Sequence, residues 1–196
     1  MIKTHLMVME ELKEYASPKA RLTRMLKSGG LIQVRRGLFV DDPAISRKAL
    51  APVIYGPSYI SFQYVLAACG LIPERVTVIT STTFNKNKDK VFFTPLGDFR
   101  YLYMPAAVYP YGITQEDENG MSYLIATPEK ALCDAIYKNP GVTSTDDIDT
   151  LLREDWRMDM DLLATLDAGF ISWIAPLYRR KSVAALAAWF QREVRR

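Results

Sequence analysis

Between Lys19 and Ser28, Leu22, Met25 and Leu26 recur three and four residues apart, which places them on one buried helical stripe. Lys19, Arg21, Thr23, Arg24 and Lys27 fall mainly off that stripe, toward solvent. Ser17 suits the N-cap and Pro18 the first helical position, where its missing N–H costs nothing. Gly29–Gly30 ends the run, because glycine accepts the left-handed conformation common after a C-cap. A shorter helix is predicted ahead of it over Glu10–Tyr15, from the three-residue spacing of Leu12 and Tyr15. Two short β-prone runs flank Arg35-Arg36-Gly37 within Leu31–Val40, which predicts a hairpin whose tip or flank carries two guanidinium groups. Helix, turn, basic helix and basic hairpin is the order of a winged helix-turn-helix.

Asp41-Asp42-Pro43 reads as a junction, dividing the chain into residues 1–44 and 45–196. Beyond it, Ser46–Ile54 is helical but interrupted by Pro52, Tyr55-Gly56-Pro57-Ser58 is a turn, and Ile60–Cys69 is an apolar helix stopped by Gly70. Val76–Thr83 is β-branched nearly throughout and reads as a strand. The polar turn Asn85–Lys90 carries three lysines, assigned to a loop in preference to a second binding patch. Val91–Thr94 and Phe99–Tyr103 pair across Pro95–Asp98; Tyr109–Gly112 and Tyr123–Ala126 are further extended pieces, separated by an acidic loop over Glu116–Gly120. Thr127 caps a helix running from Pro128 to about Tyr137, and Thr145–Arg153, Asp161–Ala168 and Ser182–Arg195 complete the chain as helices. The expected fold is α+β: an N-terminal winged helix-turn-helix joined to a mixed α/β C-terminal domain with a small, largely antiparallel sheet and C-terminal helices.

Charge sharpens this division. Residues 1–48 hold ten Lys/Arg against five Asp/Glu, a net of +5, while the other 148 residues hold fifteen basic and seventeen acidic side chains, a net of −2. A basic module on a near-neutral body suits phosphate binding, where each neutralised phosphate releases counterions. Charge alone would equally fit a solvated face; its coupling to the Arg-Arg-Gly hairpin favours DNA. Lys19, Arg21, Thr23, Arg24, Lys27, Arg35 and Arg36 are the candidate DNA-binding residues. With 49% apolar and 24% charged residues the chain has the composition of a folded protein, and no apolar run approaches the ~18–20 residues that cross a bilayer. A cytoplasmic protein without a secretory signal or membrane contact is expected, with Cys69 and Cys133 as reduced, buried thiols.

Several stretches together resemble the AbiEi family of antitoxins from type IV, abortive-infection toxin–antitoxin systems. The N-terminal pattern Arg21-Leu22 … Leu26 … Gly30-Leu31-Ile32 … Arg35-Arg36-Gly37-Leu38-Phe39 is similar to that family's winged helix. Tyr55-Gly56-Pro57-Ser58-Tyr59-Ile60-Ser61, Gly70-Leu71-Ile72-Pro73-Glu74, Ile79-Thr80-Ser81-Thr82-Thr83 and Ile125-Ala126-Thr127-Pro128-Glu129-Lys130-Ala131-Leu132 look like its antitoxin domain. Order and spacing match over roughly residues 10–140. The resemblance implies a repressor that binds inverted repeats in its own promoter and neutralises a partner AbiEii-type nucleotidyltransferase toxin.

No residue pattern makes a convincing active site, and neither catalysis, metal nor cofactor is expected. Asp146, Asp147 and Asp149, with Asp159 and Asp161, lie at helix starts, where carboxylates favour the helix dipole; a metal-binding pair is the alternative. Glu129-Lys130 faintly suggests a nuclease motif, but Thr127 and Pro128 explain it better as a capped first turn. His5 has no acidic or cysteine companion at a useful spacing. Tyr55, Tyr59, Phe62 and Tyr64 favour core packing over stacking on single-stranded nucleic acid. The final helix presents Val183, Leu186, Ala187, Phe190 and Val194 on one face with Arg192, Arg195 and Arg196 nearby; docking on the body is favoured over a contact with a partner or with DNA phosphate. The rival functions are a winged-helix regulator with a ligand-sensing C-terminal domain and no toxin partner, a metal-dependent enzyme, and a module using the winged helix for protein contact only.

Overall fold

The computed structural model describes residues 1–194, and residues 2–40 of it make a strand, two helices and a hairpin. In order these are β1 (Ile2–Thr4), α1 (His5–Glu11), α2 (Pro18–Lys27), β2 (Ile32–Arg35) and β3 (Leu38–Val40). β3 lies between β1 and β2, antiparallel to both. Alternation then decides what each face of this small sheet meets. Phe39 turns toward the helices and packs with Val8, Leu12, Leu22 and Leu31. Leu38 and Val40 turn the other way and join Val34 in the core of the rest of the chain.

The first helix sits earlier than its pattern suggested. It starts at His5, where Thr4 accepts a hydrogen bond from the Met7 N–H, and stops at Glu11. Val8 and Leu12, four apart, are its buried pair, whereas Tyr15 is exposed and beyond the helix. α2 begins at Pro18 as expected, although the Ser17 side chain makes no capping bond.

The body contains α3 (Arg47–Ile54), β4 (Ser58–Ile60), α4 (Phe62–Ala68), β5 (Ile79–Thr83), β6 (Lys90–Thr94), β7 (Gly97–Tyr103), β8 (Ile113–Glu118) and β9 (Met121–Ala126). It continues with α5 (Pro128–Tyr137), α6 (Thr145–Thr150), which runs into a π-helical turn over Leu151–Asp155, α7 (Met160–Ala164), α8 (Ala168–Tyr178) and α9 (Lys181–Val194). Six strands form one sheet in the order β6-β7-β5-β4-β9-β8. The sheet is larger than the small one expected; three of its five neighbouring pairs are antiparallel, but β4 runs parallel to β9 and β5 parallel to β7, so it is mixed. Neither parallel pair is consecutive in sequence, so no turn signal announces it.

Further local readings differ from the structure. Glu116–Glu118 are the end of β8, paired with β9, and only Asn119–Gly120 turn. Residues 109–112 form a turn, not an extended piece. α8 was not expected at all; Gly169 and Pro176 weaken its local signal, yet Asp167 caps it and Ile171, Ile174, Ala175 and Tyr178 bury one face. Pro52 does not end α3, which continues to Ile54.

Helices cover both faces of the sheet. The Tyr101 hydroxyl donates to the Ala51 carbonyl of α3 on one side, and the Tyr59 hydroxyl donates to Asp134 of α5 on the other. α9 docks against α5, α6 and α8, with Val183, Leu186, Ala187 and Phe190 buried and Arg192 paired to Asp146 at 3.0 Å. Arg195 and Arg196, singled out in the sequence, lie outside the described residues. Among the described residues no helix is long and apolar enough to cross a membrane.

Candidate nucleic-acid interface

α2 is anchored from one side only. Leu22 is buried in the module's core, with Met25 and Leu26 packed against it, and the opposite face carries Lys19, Thr23, Arg24 and Lys27, all exposed. Lys19, Thr23 and Lys27 are spaced by four and form one row along the helix. The Thr23 hydroxyl donates back to the Lys19 carbonyl at 3.0 Å, and the Arg24 Nε donates to the Ala20 carbonyl at 3.4 Å. Arg21 is half-buried, its guanidinium 5.1 Å from the Tyr15 ring centre. Among the described residues none of Lys19, Arg21, Arg24, Lys27, Arg35 and Arg36 forms an ion pair.

The hairpin divides its two arginines. Arg36 and Gly37 form the turn, with Gly37 at φ +78° and nothing near its missing Cβ, a position that favours glycine. The His5 N–H donates to the Gly37 carbonyl at 2.9 Å, which ties the start of α1 to this apex. The register of β2 against β3 shifts between Gln33 and Arg35, so that Arg35 stands opposite Leu38. Cross-strand partners share a face. Arg35 therefore lies on the side of Leu38, toward the body, and not on the side of α2.

The junction acids are occupied. Asp41 pairs with the Met1 ammonium and, at 3.5 Å, with Lys3, which is also bonded to Glu11 at 2.8 Å. These contacts hold the Asp41 carboxyl below its ordinary pKa. Asp42 accepts from the Ala44 N–H.

Of the carboxylates weighed as metal ligands, three are engaged in caps or hydrogen bonds and Asp146 pairs with Arg192, while Asp161 is exposed. Asp147 closes a capping box with Ser144, Asp149 accepts from the Trp189 indole at 2.8 Å and from Arg153 at 3.0 Å, and Asp159 caps α7 through the N–H groups of Asp161 and Leu162. The Asp147 and Asp149 carboxyls are lowered by these bonds, Asp147 first through the Thr143 N–H and Asp149 first through Trp189. Among the described residues no group of three His, Cys, Asp or Glu side chains is arranged to hold a metal ion. Cys133 is buried, which pushes its thiol pKa up, but Cys69 is exposed, contrary to expectation. It follows α4 directly, where Gly70 (φ +75°) turns the chain away.

A second polar centre escaped the sequence reading. Lys130 and Asp134, one turn apart on α5, are both fully buried and meet at 2.5 Å. Asp134 also accepts from the hydroxyls of Ser61 at 2.7 Å, Tyr178 at 2.6 Å and Tyr59 at 3.0 Å. The Lys130 ammonium contacts the Tyr178 hydroxyl at 2.8 Å and lies 5.2 Å from the Tyr59 ring centre. Burial first, and then the Asp134 charge, raise both phenols well above the ordinary tyrosine pKa. Gly112, at φ +64°, passes so close that an added Cβ would stand 2.8 Å from the Lys130 Cβ. Phe62, following Ser61, is buried at φ +62°, a backbone conformation bulky residues rarely adopt, beside the bond that ties Ser61 to α5. The neighbouring Glu129 points away and accepts from the Asp167 N–H, so Glu129 and Lys130 do not converge. The available signal was a Lys and an Asp four apart inside an otherwise apolar helix, which is too common on exposed helices to single out.

Compared with known proteins, the sequence matches no family model and no curated protein sequence.

Proposed function

We propose that the chain binds duplex DNA through α2 and the β2–β3 hairpin, used as a winged helix-turn-helix, represses its own promoter, and serves as the antitoxin to a nucleotidyltransferase toxin, without catalysis of its own. The observation that carries the DNA half is the exposed row of Lys19 and Lys27, with Arg24 beside it, none of them ion-paired among the described residues, on a helix whose other face is fixed by Leu22. Such a row meets phosphates and base edges together when a helix lies in the major groove. The three-stranded sheet behind two helices, with Arg36 at its turn, supports the same reading. The antitoxin half rests on the motif resemblance.

A gel shift on a duplex from the upstream region tests the first half. Lys19→Ala, Arg24→Ala and Lys27→Ala together abolish the specific shift while the thermal midpoint stays in place; unchanged affinity refutes the assignment. Co-expression with the neighbouring reading frame tests the second half, and failure to rescue growth from a toxic neighbour refutes it.

A further inference from the structure

The two edges of the six-stranded sheet are built differently. β8 ends one side, and its Gln115, Glu116 and Asp117 are exposed. Charges on an edge strand discourage another strand from pairing with it. β6 ends the other side with Val91, Phe92 and Phe93 in succession. Among the described residues its main chain bonds to β7 alone; β2 comes near β6 but pairs only with β3. Thr94 and Gly97 face each other across the two-residue turn Pro95–Leu96. Ladder bonds alternate from that pair, so the N–H and C=O of Val91 and Phe93 turn outward, away from β7.

The side chains of β6 divide between its two faces. Phe92 is half-buried, meets Tyr55 at 5.7 Å and Tyr101 at 5.6 Å, and packs, like Val34 of β2, into the main core. Lys90 shares that face and is held over the Tyr55 ring at 4.9 Å, so its charge does not guard the edge. Val91 and Phe93 point to the other face and are 48% and 80% exposed. Their cross-strand neighbours there are Arg100 and Asp98, which border the apolar pair without covering it. An edge with outward main-chain groups and bare apolar side chains is a template for a further strand.

We propose that this edge takes β6 of a second copy of the chain, joining two six-stranded sheets side by side. The strand is complementary to itself. Antiparallel pairing about a two-fold axis at Phe92 sets Val91 opposite the second copy's Phe93, twice by symmetry, and these are the residues whose main-chain groups turn outward. Lys90 falls opposite Thr94, and Lys86 and Lys88 of the two copies fall at opposite ends of the pair, so no like charges meet. Pairing of β6 with another copy's β8 would bring lysines to Glu116 and Asp117, but it leaves a free edge at each end and grows without limit, whereas the β6–β6 pair closes.

Sedimentation velocity of the full chain over a wide range of concentration tests this. The expected result is a monomer–dimer equilibrium with no larger species. Phe93→Lys, at an exposed site, weakens association about tenfold or more, since both Val91–Phe93 pairs are lost, while the thermal midpoint stays in place. Val91→Lys acts in the same way and keeps the result from resting on one variant. Hydrogen exchange locates the contact: the Val91 and Phe93 amides become protected as the concentration of the unaltered chain rises, and not in Phe93→Lys. A chain that stays monomeric at every concentration refutes the proposal, as does a dimer that Phe93→Lys leaves intact. A series of growing oligomers, dispersed by Glu116→Lys with Asp117→Lys, assigns the contact to β6 on β8 and overturns the closed pair.

Discussion

Lys19 and Lys27 stand in water on α2, while Lys130 has no exposed surface on α5. The two regions treat the same side chain in opposite ways. The module leaves its ammonium groups unpaired, which is cheap because bulk water solvates them and leaves them ready to exchange counterions for phosphates. The body tolerates an ammonium only by surrounding it with Asp134, the Tyr178 hydroxyl and the Tyr59 ring, since desolvation of an ion costs several kcal/mol unless partners replace the water. Charge at the amino end is therefore left open to solvent. In the body it is a tie between β4, α5 and α8, carried by Tyr59 and Ser61, Lys130 and Asp134, and Tyr178.

That contrast predicts a steep ordering of stability effects. Asp134→Ala has the largest: it strands Lys130 and removes the acceptor of three hydroxyls, costing about 3–5 kcal/mol and lowering the thermal midpoint by roughly 6–20 °C in a chain of this size. Lys130→Met costs less, about 1–3 kcal/mol, because Asp134 keeps the hydroxyls of Tyr59, Ser61 and Tyr178. Denaturant midpoints compare the two, and equal losses would break the account of partner sets.

Alkali sharpens it further. Tyr59 and Tyr178 ionise near pH 10 in the unfolded chain but only well above that when folded. Above pH 10 the unfolded chain binds fewer protons. The stabilisation from these phenols is therefore complete below that pH, and falls by about 1.4 kcal/mol per pH unit per tyrosine as pH rises past it. Tyr178→Phe removes one such increment from the slope of stability against pH, read from urea midpoints between pH 9 and 11 or so. A slope equal to the parent's would show that Tyr178 ionises freely in the fold. The smallest effect belongs to the module: Lys19→Gln with Lys27→Gln shifts stability by no more than about 0.5 kcal/mol. A larger loss would mean that the α2 cations are structural and not reserved for a partner.

Local pattern made much of the architecture legible. Leu22, Met25 and Leu26 located α2, Gly37 the hairpin, Thr127 with Pro128 the start of α5, and Phe92 and Phe99 the β6–β7 pair. Where two signals competed locally, the reading slipped: Leu12–Tyr15 pulled α1 too late, acidic side chains made the end of β8 look like a loop, and Gly169 hid α8.

By itself, then, the sequence determined which helix carries cations and which face of it is apolar, because helical period and side-chain chemistry are properties of neighbours in the chain. Tertiary structure alone decided that Arg35 stands opposite Leu38 and away from α2, that β4 and β9 run parallel, and that Lys130 and Asp134 are buried among Tyr59, Ser61 and Tyr178. Each of these depends on residues distant in sequence meeting in space, and on a desolvation cost that exists only once the core has closed around them.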